Sequence, residues 1–307
     1  MDHDRRFKAL IRAFFAEFFQ LFFAEWTDLI DFSEVEWLEQ EVAADPPDAG
    51  AHVLDLAARV HARESIPPWH DGRDERDCLL VVLIEIESPD RTTSIRHRMP
   101  RYVRDLGDKL GLPVLPVVLF LKVGLNGVGR LEYRRQIRGL VVDYSECLYV
   151  GLPGLDAVQY LEGDNWLGVA LSALMRIPAE QVAWLGAEAL RRLTEAPLDN
   201  RRKFLLAECV QAYLPMTDEQ RREFKALLST KPYAGVQAMN VTVFEEGLLK
   251  GRLDTLLSCV ELKFGREVPE ITARVRTLSN EEAAQRALVS LWRITTPEEF
   301  VQELSRL

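Results

Sequence analysis

The run DCLLVVLIEIES at 77–88 ends the most apolar stretch of the chain on two carboxylates, Glu85 and Glu87. Side chains two apart on a strand point to one face, so this pair projects together. Charge at the end of a buried run costs desolvation free energy unless something compensates it, and a divalent cation would do so. Asp55, in the preceding run AHVLDLAARVH at 51–61, is placed to bring a third carboxylate to the same point. Hard cations such as Mg²⁺ or Mn²⁺ take a few carboxylate oxygens plus waters. The chemistry would be polarisation of a phosphodiester and activation of a metal-bound water. The same spacing equally describes a strand that simply emerges into solvent at its acidic end.

Those residues need a sheet to hold them. The segment at 77–88 is β-prone and nearly continuous in apolar residues, which predicts a strand buried on both faces, with 51–61 as its extended partner. Between them lies the Pro-, Gly- and charge-rich connector SIPPWHDGRDER. A helix is predicted from Thr92 to Leu110, ended by Gly111 and Pro113, and further strands at 114–123 and 140–150. A strand–helix–strand passage around a buried strand implies an α/β fold with a mixed or parallel sheet. Upstream, Leu10, Ile11, Phe14, Phe15, Phe18, Phe19, Phe22, Phe23 and Trp26 fall on one broad face of a helix over 5–26, expected to pack in the core. Ser33 and Glu36 have capping-box spacing, so a second helix is predicted from Ser33 to Ala43. Beyond residue 163 the pattern is helical, with helices expected at 164–176, 179–194, 201–213, 217–229, 243–264 and 281–292.

With 307 residues, 48% of them hydrophobic, the chain has enough apolar material for one large or two ordinary cores. Cys78, Cys147, Cys209 and Cys259 are widely spaced and form no CxxC pair, which argues against structural zinc and disulfides and for a reducing, cytoplasmic setting. The longest apolar runs are shorter than the roughly 20 residues that cross a bilayer, and Glu17 and Glu25 break up the start as a signal peptide, so no membrane partner is expected. The net charge of −10 disfavours non-specific binding of DNA by the surface as a whole, yet leaves room for a local basic groove.

Read in order, DHDRRFKALIRAFFAEFFQLFF, IDFSEVEWLEQE, LDLAARV, IEIES and RHRMPRYVRDLGDKLGLPVLPVVLFL resemble the Rpn-type, transposase-like family of recombination-promoting PD-(D/E)XK nucleases, over about residues 2–125. The tail EGLLKGRLDTLLSCVELKFGREVPEIT is similar to the helical region that closes such proteins. The resemblance implies a restriction-endonuclease-like mixed sheet flanked by helices over 1–160, a helical extension at 161–240 and a C-terminal helical region at 241–307. It implies a Mg²⁺- or Mn²⁺-dependent DNA endonuclease linked to mobile elements or recombination. Asp55 matches the motif aspartate and Glu85 the acidic ligand, and the Ile86 carbonyl would add a contact. Glu41, at the end of the second predicted helix, matches an acid that completes the metal shell. Glu87 departs from the pattern, which has Lys there, or Gln in relatives of this type. Three outcomes stay open: a second cation is recruited, the positive role passes to Arg96, Arg98 or Arg101, or catalysis has been lost and the module only binds nucleic acid or a protein.

Arg96, Arg98, Arg101 and Arg104 recur along the helix at 92–110, and Arg98, Arg101 and Arg104 succeed one another three apart, so the four are expected to grip DNA phosphates. Arg130, Arg134, Arg135 and Arg138 form a second basic cluster beside the strand at 140–150. Both equally fit a solvated charged surface. His52, His61 and His70 show no metal-ligand spacing, Trp69 is expected to anchor the connector, and GLNGVG at 124–129 reads as a turn. The C-terminal helices would support assembly, a homo-oligomer included, or a partner.

Overall fold

The computed structural model describes residues 3–38, 41–42, 52–53, 55–64, 78–87, 94–264, 268–278 and 281–305; for 3–5, 41–42, 52–53, 237–251 and 281–282 it describes the backbone alone. The connector residues Trp69 and His70 lie outside the described residues, as do the side chains of Glu41 and His52. Two compact units make up the chain, residues 1–233 and residues 234–307.

The first unit is mixed α/β. It opens with α1 (His3–Ala13), α2 (Phe15–Phe22) and α3 (Ala24–Thr27), where one continuous helix was predicted. Phe14 and Phe23 leave helical geometry at the two breaks, but the chain stays hydrogen-bonded through them, Phe14 N–H to the Leu10 carbonyl and Phe23 N–H to the Phe19 carbonyl. The breaks let the phenylalanines turn inward on more than one side. Phe14, Phe18 and Phe19 are wholly buried, and the Phe18 ring meets those of Phe19, Phe22 and Phe23 at 5.4–6.0 Å, largely edge to face.

The strands follow as β1 (Ile30–Trp37), β2 (Glu41–Val42), β3 (His52–Val53), β4 (Leu56–Ala62) and β5 (Leu79–Glu87). β1 overturns the helix expected from Ser33 to Ala43. Ile30, Phe32, Val35 and Trp37 are apolar at near two-residue spacing, and a bulge between Asp31 and Val35 absorbs the extra residue. Ser33 caps nothing: its N–H and its hydroxyl both donate to Asp31 Oδ1, closing the bulge and holding the Asp31 carboxyl below its ordinary pKa.

Next come α4 (Ile95–Leu110), β6 (Val114–Phe120), β7 (Gly127–Ile137) and β8 (Leu140–Gly151). Six strands form one sheet in the order β1-β4-β5-β6-β8-β7. β1, β4 and β5 are antiparallel neighbours; β5, β6 and β8 run parallel, and β7 closes the edge antiparallel to β8. β2 and β3 form a separate two-stranded pair. β7 is the strand that sequence reading missed, because RLEYRRQI has no apolar run and most of it is exposed. α4 lays Ile95, Met99, Tyr102 and Leu106 on the sheet against Val81, Leu83, Val118 and Phe120.

α5 (Ala157–Glu162), α6 (Trp166–Leu171), α7 (Val182–Glu195), α8 (Asn200–Tyr213) and α9 (Asp218–Leu228) complete the unit. They are tied back to the N-terminal helices by specific contacts. Asn165 caps α6 and also donates through Nδ2 to the Glu17 carbonyl at 2.9 Å, and the Arg202 guanidinium lies 4.2 Å over the Phe14 ring.

The second unit is all helical: α10 (Ala234–Phe264), α11 (Pro269–Val275), α12 (Glu281–Arg293) and α13 (Pro297–Leu304). Leu256, Val260, Ile271, Val275, Leu291 and Phe300 are at its core. Lys263, from the KFG near the end of α10, donates to the Leu291 and Ile294 carbonyls and so caps α12. No described helix is long and apolar enough to cross a membrane, and the four cysteines are free thiols.

Because Phe18 sits at the centre of the ring cluster with no exposed surface, Phe18→Ala is expected to cost about 3–5 kcal/mol. Urea denaturation followed by circular dichroism measures it, and a loss below about 1 kcal/mol would show that the cluster collapses around the cavity.

Candidate active site

The acidic residues meet where β4 begins and β5 ends. Leu56 pairs with Ile84, which sets Asp55 level with Glu85 on the neighbouring strand. Each carboxylate then takes a main-chain donor from the other's strand. The Asp55 N–H donates to Glu85 Oε1 at 3.1 Å, and the Ile86 N–H donates to Asp55 Oδ2 at 2.8 Å. Glu87 projects beside Glu85, as the two-residue period requires, and its carbonyl accepts from Leu121 N–H. All three are buried, Asp55 at 1% exposure, Glu85 at 0% and Glu87 at 6%.

Two cations reach this cluster from two helices. Lys8 on α1 places Nζ 3.1 Å from Asp55 Oδ1. Arg98 on α4 donates from Nη1 to Glu85 Oε2 at 3.2 Å and from Nη2 to Glu87 Oε1. Both cations are themselves nearly buried, with side chains 12% and 11% exposed. Three carboxylates thus face two cations. Burial works against the Arg98 charge, but Glu87, a hydrogen bond with Tyr102, and Glu85 together outweigh it and hold its pKa above the ordinary guanidinium value.

Local sequence explains how Arg98 gets there. Ser94 caps α4 by accepting from the Arg96 N–H, so the helix starts just past the end of β5. Its apolar stripe fixes the rotation, and Arg98, on the flank of that stripe between Ile95 and Tyr102, is turned toward the acids. Lys8 was not singled out from sequence. It borders the apolar stripe of α1, where a lysine ordinarily just covers the stripe's edge with its stem.

The other expected residues are dispersed. Arg96 and Arg104 line a groove between α4 and the β7–β8 hairpin, on the flank of α4 away from Arg98. Arg101 is half exposed and pairs with Asp105 at 3.5 Å. The four arginines therefore make no single row. Glu41 lies in β2, paired with Val53, rather than at a helix end. His61 is exposed, 3.9 Å from Glu34.

Among the described residues, no three His, Cys, Asp or Glu side chains converge as a set of metal ligands. The Asp55–Glu85 pair nevertheless has the hard oxygen donors that Mg²⁺ or Mn²⁺ prefers, and Mg²⁺ commonly takes one or two carboxylates and completes its shell with water. Seating a cation there requires Lys8 or Arg98 to yield an oxygen that it now contacts. Comparison with protein-family models, with curated proteins and with solved structures finds no match.

Removing one partner of a buried ion pair leaves an uncompensated charge. Arg98→Ala is therefore expected to lower stability by about 3–5 kcal/mol. Combining it with Glu87→Gln removes one of the stranded charges and should recover part of that loss. Urea denaturation of the two variants checks this; if the double variant is no more stable than the single, Arg98 does not act by neutralising Glu87.

Proposed function

We propose that this protein is a divalent-cation-dependent DNA endonuclease, built on a restriction-endonuclease-like core and linked to mobile elements or recombination. The observation that carries it is the reciprocal lock between Asp55 and Glu85, two buried carboxylates on adjacent strands, each accepting a main-chain N–H from the other's strand. Hydrophobic residues of similar volume are often as stable as buried ion clusters, so a cluster of five charged side chains is weakly explained by stability alone. Buried acids brought together at the end of a strand, each held by a main-chain donor or a cation, are an arrangement found at catalytic sites. The six-stranded mixed sheet flanked by helices supports the same reading, as does the resemblance to Rpn-type nucleases.

Asp55 and Glu85 would hold Mg²⁺ or Mn²⁺. The bound cation would supply Lewis acidity toward the phosphodiester and lower the pKa of its water. Arg98 takes the positive role that the nuclease pattern gives to Lys at the position of Glu87. Its guanidinium neutralises Glu87, reaches Glu85, and is a donor for the charge that develops on the phosphate. Lys8 orients Asp55 and offers a second positive charge on the α1 side. The burial of all five groups excludes bulk water, which strengthens each of these interactions.

One observation favours a second reading. Asp55, Glu85 and Glu87 each already face a cation of the chain itself. Such self-neutralisation suits a catalytically inactive nuclease-like module that binds nucleic acid or a protein partner.

Plasmid nicking by the purified protein separates the two. With Mg²⁺ or Mn²⁺, supercoiled DNA should be nicked; EDTA, Asp55→Ala and Glu85→Gln should each reduce the rate by at least 10²-fold, the scale expected when a metal ligand or its charge is lost. Wild-type protein that is folded by circular dichroism and leaves the plasmid intact with both metals would establish the inactive module instead.

A further inference from the structure

The β7–β8 hairpin outruns the sheet that supports it. β6 pairs with β8 only from Leu148 to Gly151, whereas β7 and β8 remain paired from Gly127 and Gly151 out to Ile137 and Leu140. Residues 134–142 are all exposed, and Ile137, Leu140 and Val142 reach 62%, 69% and 45%. A two-stranded ribbon open to water on both faces is marginal by itself, so its length has to be explained by what it meets.

Its charge is one-sided. The nine residues RRQIRGLVV at 134–142 hold three arginines and no acid, in a chain of net charge −10. Among the described residues no carboxylate lies within ion-pair distance of Arg134 or Arg138, and the Arg135–Asp143 contact is long at 3.9 Å. The turn itself places a cation where the backbone disfavours it. Arg138 has φ 50° and Gly139 φ 85°, the two left-handed positions of a two-residue hairpin turn, where Asn-Gly or Gly-Gly would be the relaxed choice. Arg138 is the one non-glycine residue with positive φ among the described residues. At the ribbon's base, Arg96 and Arg104 of α4 line a groove of about 250 Å³ with Tyr133 and Tyr144 of the ribbon, and Asp143 and Glu146 are also on its walls.

We propose that the ribbon tip is an arm that grips duplex DNA through Arg134, Arg135 and Arg138, an inference that rests on the nucleic-acid reading of the acidic site. A two-stranded ribbon fits the major groove, about 12 Å wide, with Arg134 and Arg135 on one strand and Arg138 in the turn reaching the phosphates. Glu85 is level with Val118 and, through it, with Tyr149. From Tyr149 back to Gly139 the ribbon is about 34 Å long at a strand's rise per residue, so its tip stands well beyond the acidic residues. The alternative occupant of the open ribbon is a second copy of the chain. A two-fold pairing of β7 edges would bring the strand's Arg130, Arg134 and Arg135 beside their own copies, and like charges across a strand pair repel.

The test is binding of the full-length protein to a short fluorescein-labelled blunt DNA duplex, by anisotropy, in EDTA and across a potassium chloride series. Arg138→Gly relaxes the turn, so its melting temperature should equal or exceed wild type while affinity falls several-fold. Arg134→Gln with Arg138→Gly should weaken binding about tenfold or more and reduce the slope of log affinity against log salt by about 2, the loss of two phosphate contacts. Variant curves that superimpose on wild type overturn the arm, as does a wild type that binds no duplex. Light scattering on the same samples covers the other occupant: variants that lose a dimer yet bind DNA as wild type does make the ribbon a self-association surface and overturn the proposal. Cleavage is silent in EDTA, so the two ideas fail separately. Arm-dependent binding without nicking sinks the nuclease alone, and nicking with unaltered variant binding sinks the arm alone.

Discussion

Burying charge is the constraint around which the first unit is arranged. Asp55, Glu85 and Glu87 are all nearly without exposed surface, and each would be intolerable there alone. Their compensation comes from several levels of structure at once: the main chain of β4 and β5, Lys8 from α1 and Arg98 from α4. The sheet register, the rotation of α4 and the seating of α1 are therefore coupled. A one-residue slip of β4 against β5 would turn Asp55 to the opposite face and remove its partner.

The apolar framework supplies the rigidity that such coupling needs. On one side of the chain, α4 lays a stripe of four residues on the sheet. On another, the phenylalanines of α2 interlock edge to face, and Asn165 and Arg202 tie them to the helices that follow. Both cation-bearing helices thus stand on packed cores, which is what holds long, flexible side chains such as Lys8 and Arg98 in one geometry despite the entropy they lose.

The edge of the sheet follows a different logic. β7 carries charge rather than apolar residues, an arrangement that discourages pairing with stray strands. Toward the tip of the hairpin, over 134–142, the only charges are positive, and a strained residue at the tip is an arginine. Local strain is tolerated when the surrounding ladder over-determines it, and it tends to gather at functional positions.

By itself the amino-acid order determined the long apolar strand within 77–88, the acids at its end, the helix after it and the burial of the phenylalanines near the start, because each is a matter of residue type and period within one segment. It did not determine the two breaks in the helix that carries those phenylalanines. It misjudged β1, whose Ser33–Glu36 spacing imitates a helix cap while a bulge masks the two-residue period, and it passed over β7, whose pairing rather than composition makes it a strand. The candidate site was half legible. The pairing of Glu85 with Glu87 followed from strand geometry and Asp55 was an expectation that the β4–β5 register brought level with them, whereas Lys8 and the selection of Arg98 from four arginines depended on which flank of each helix faces the sheet. Tertiary packing decided that, because a helix's rotation is set by the core it covers, and a cation brought close to a buried carboxylate is far apart from it in sequence.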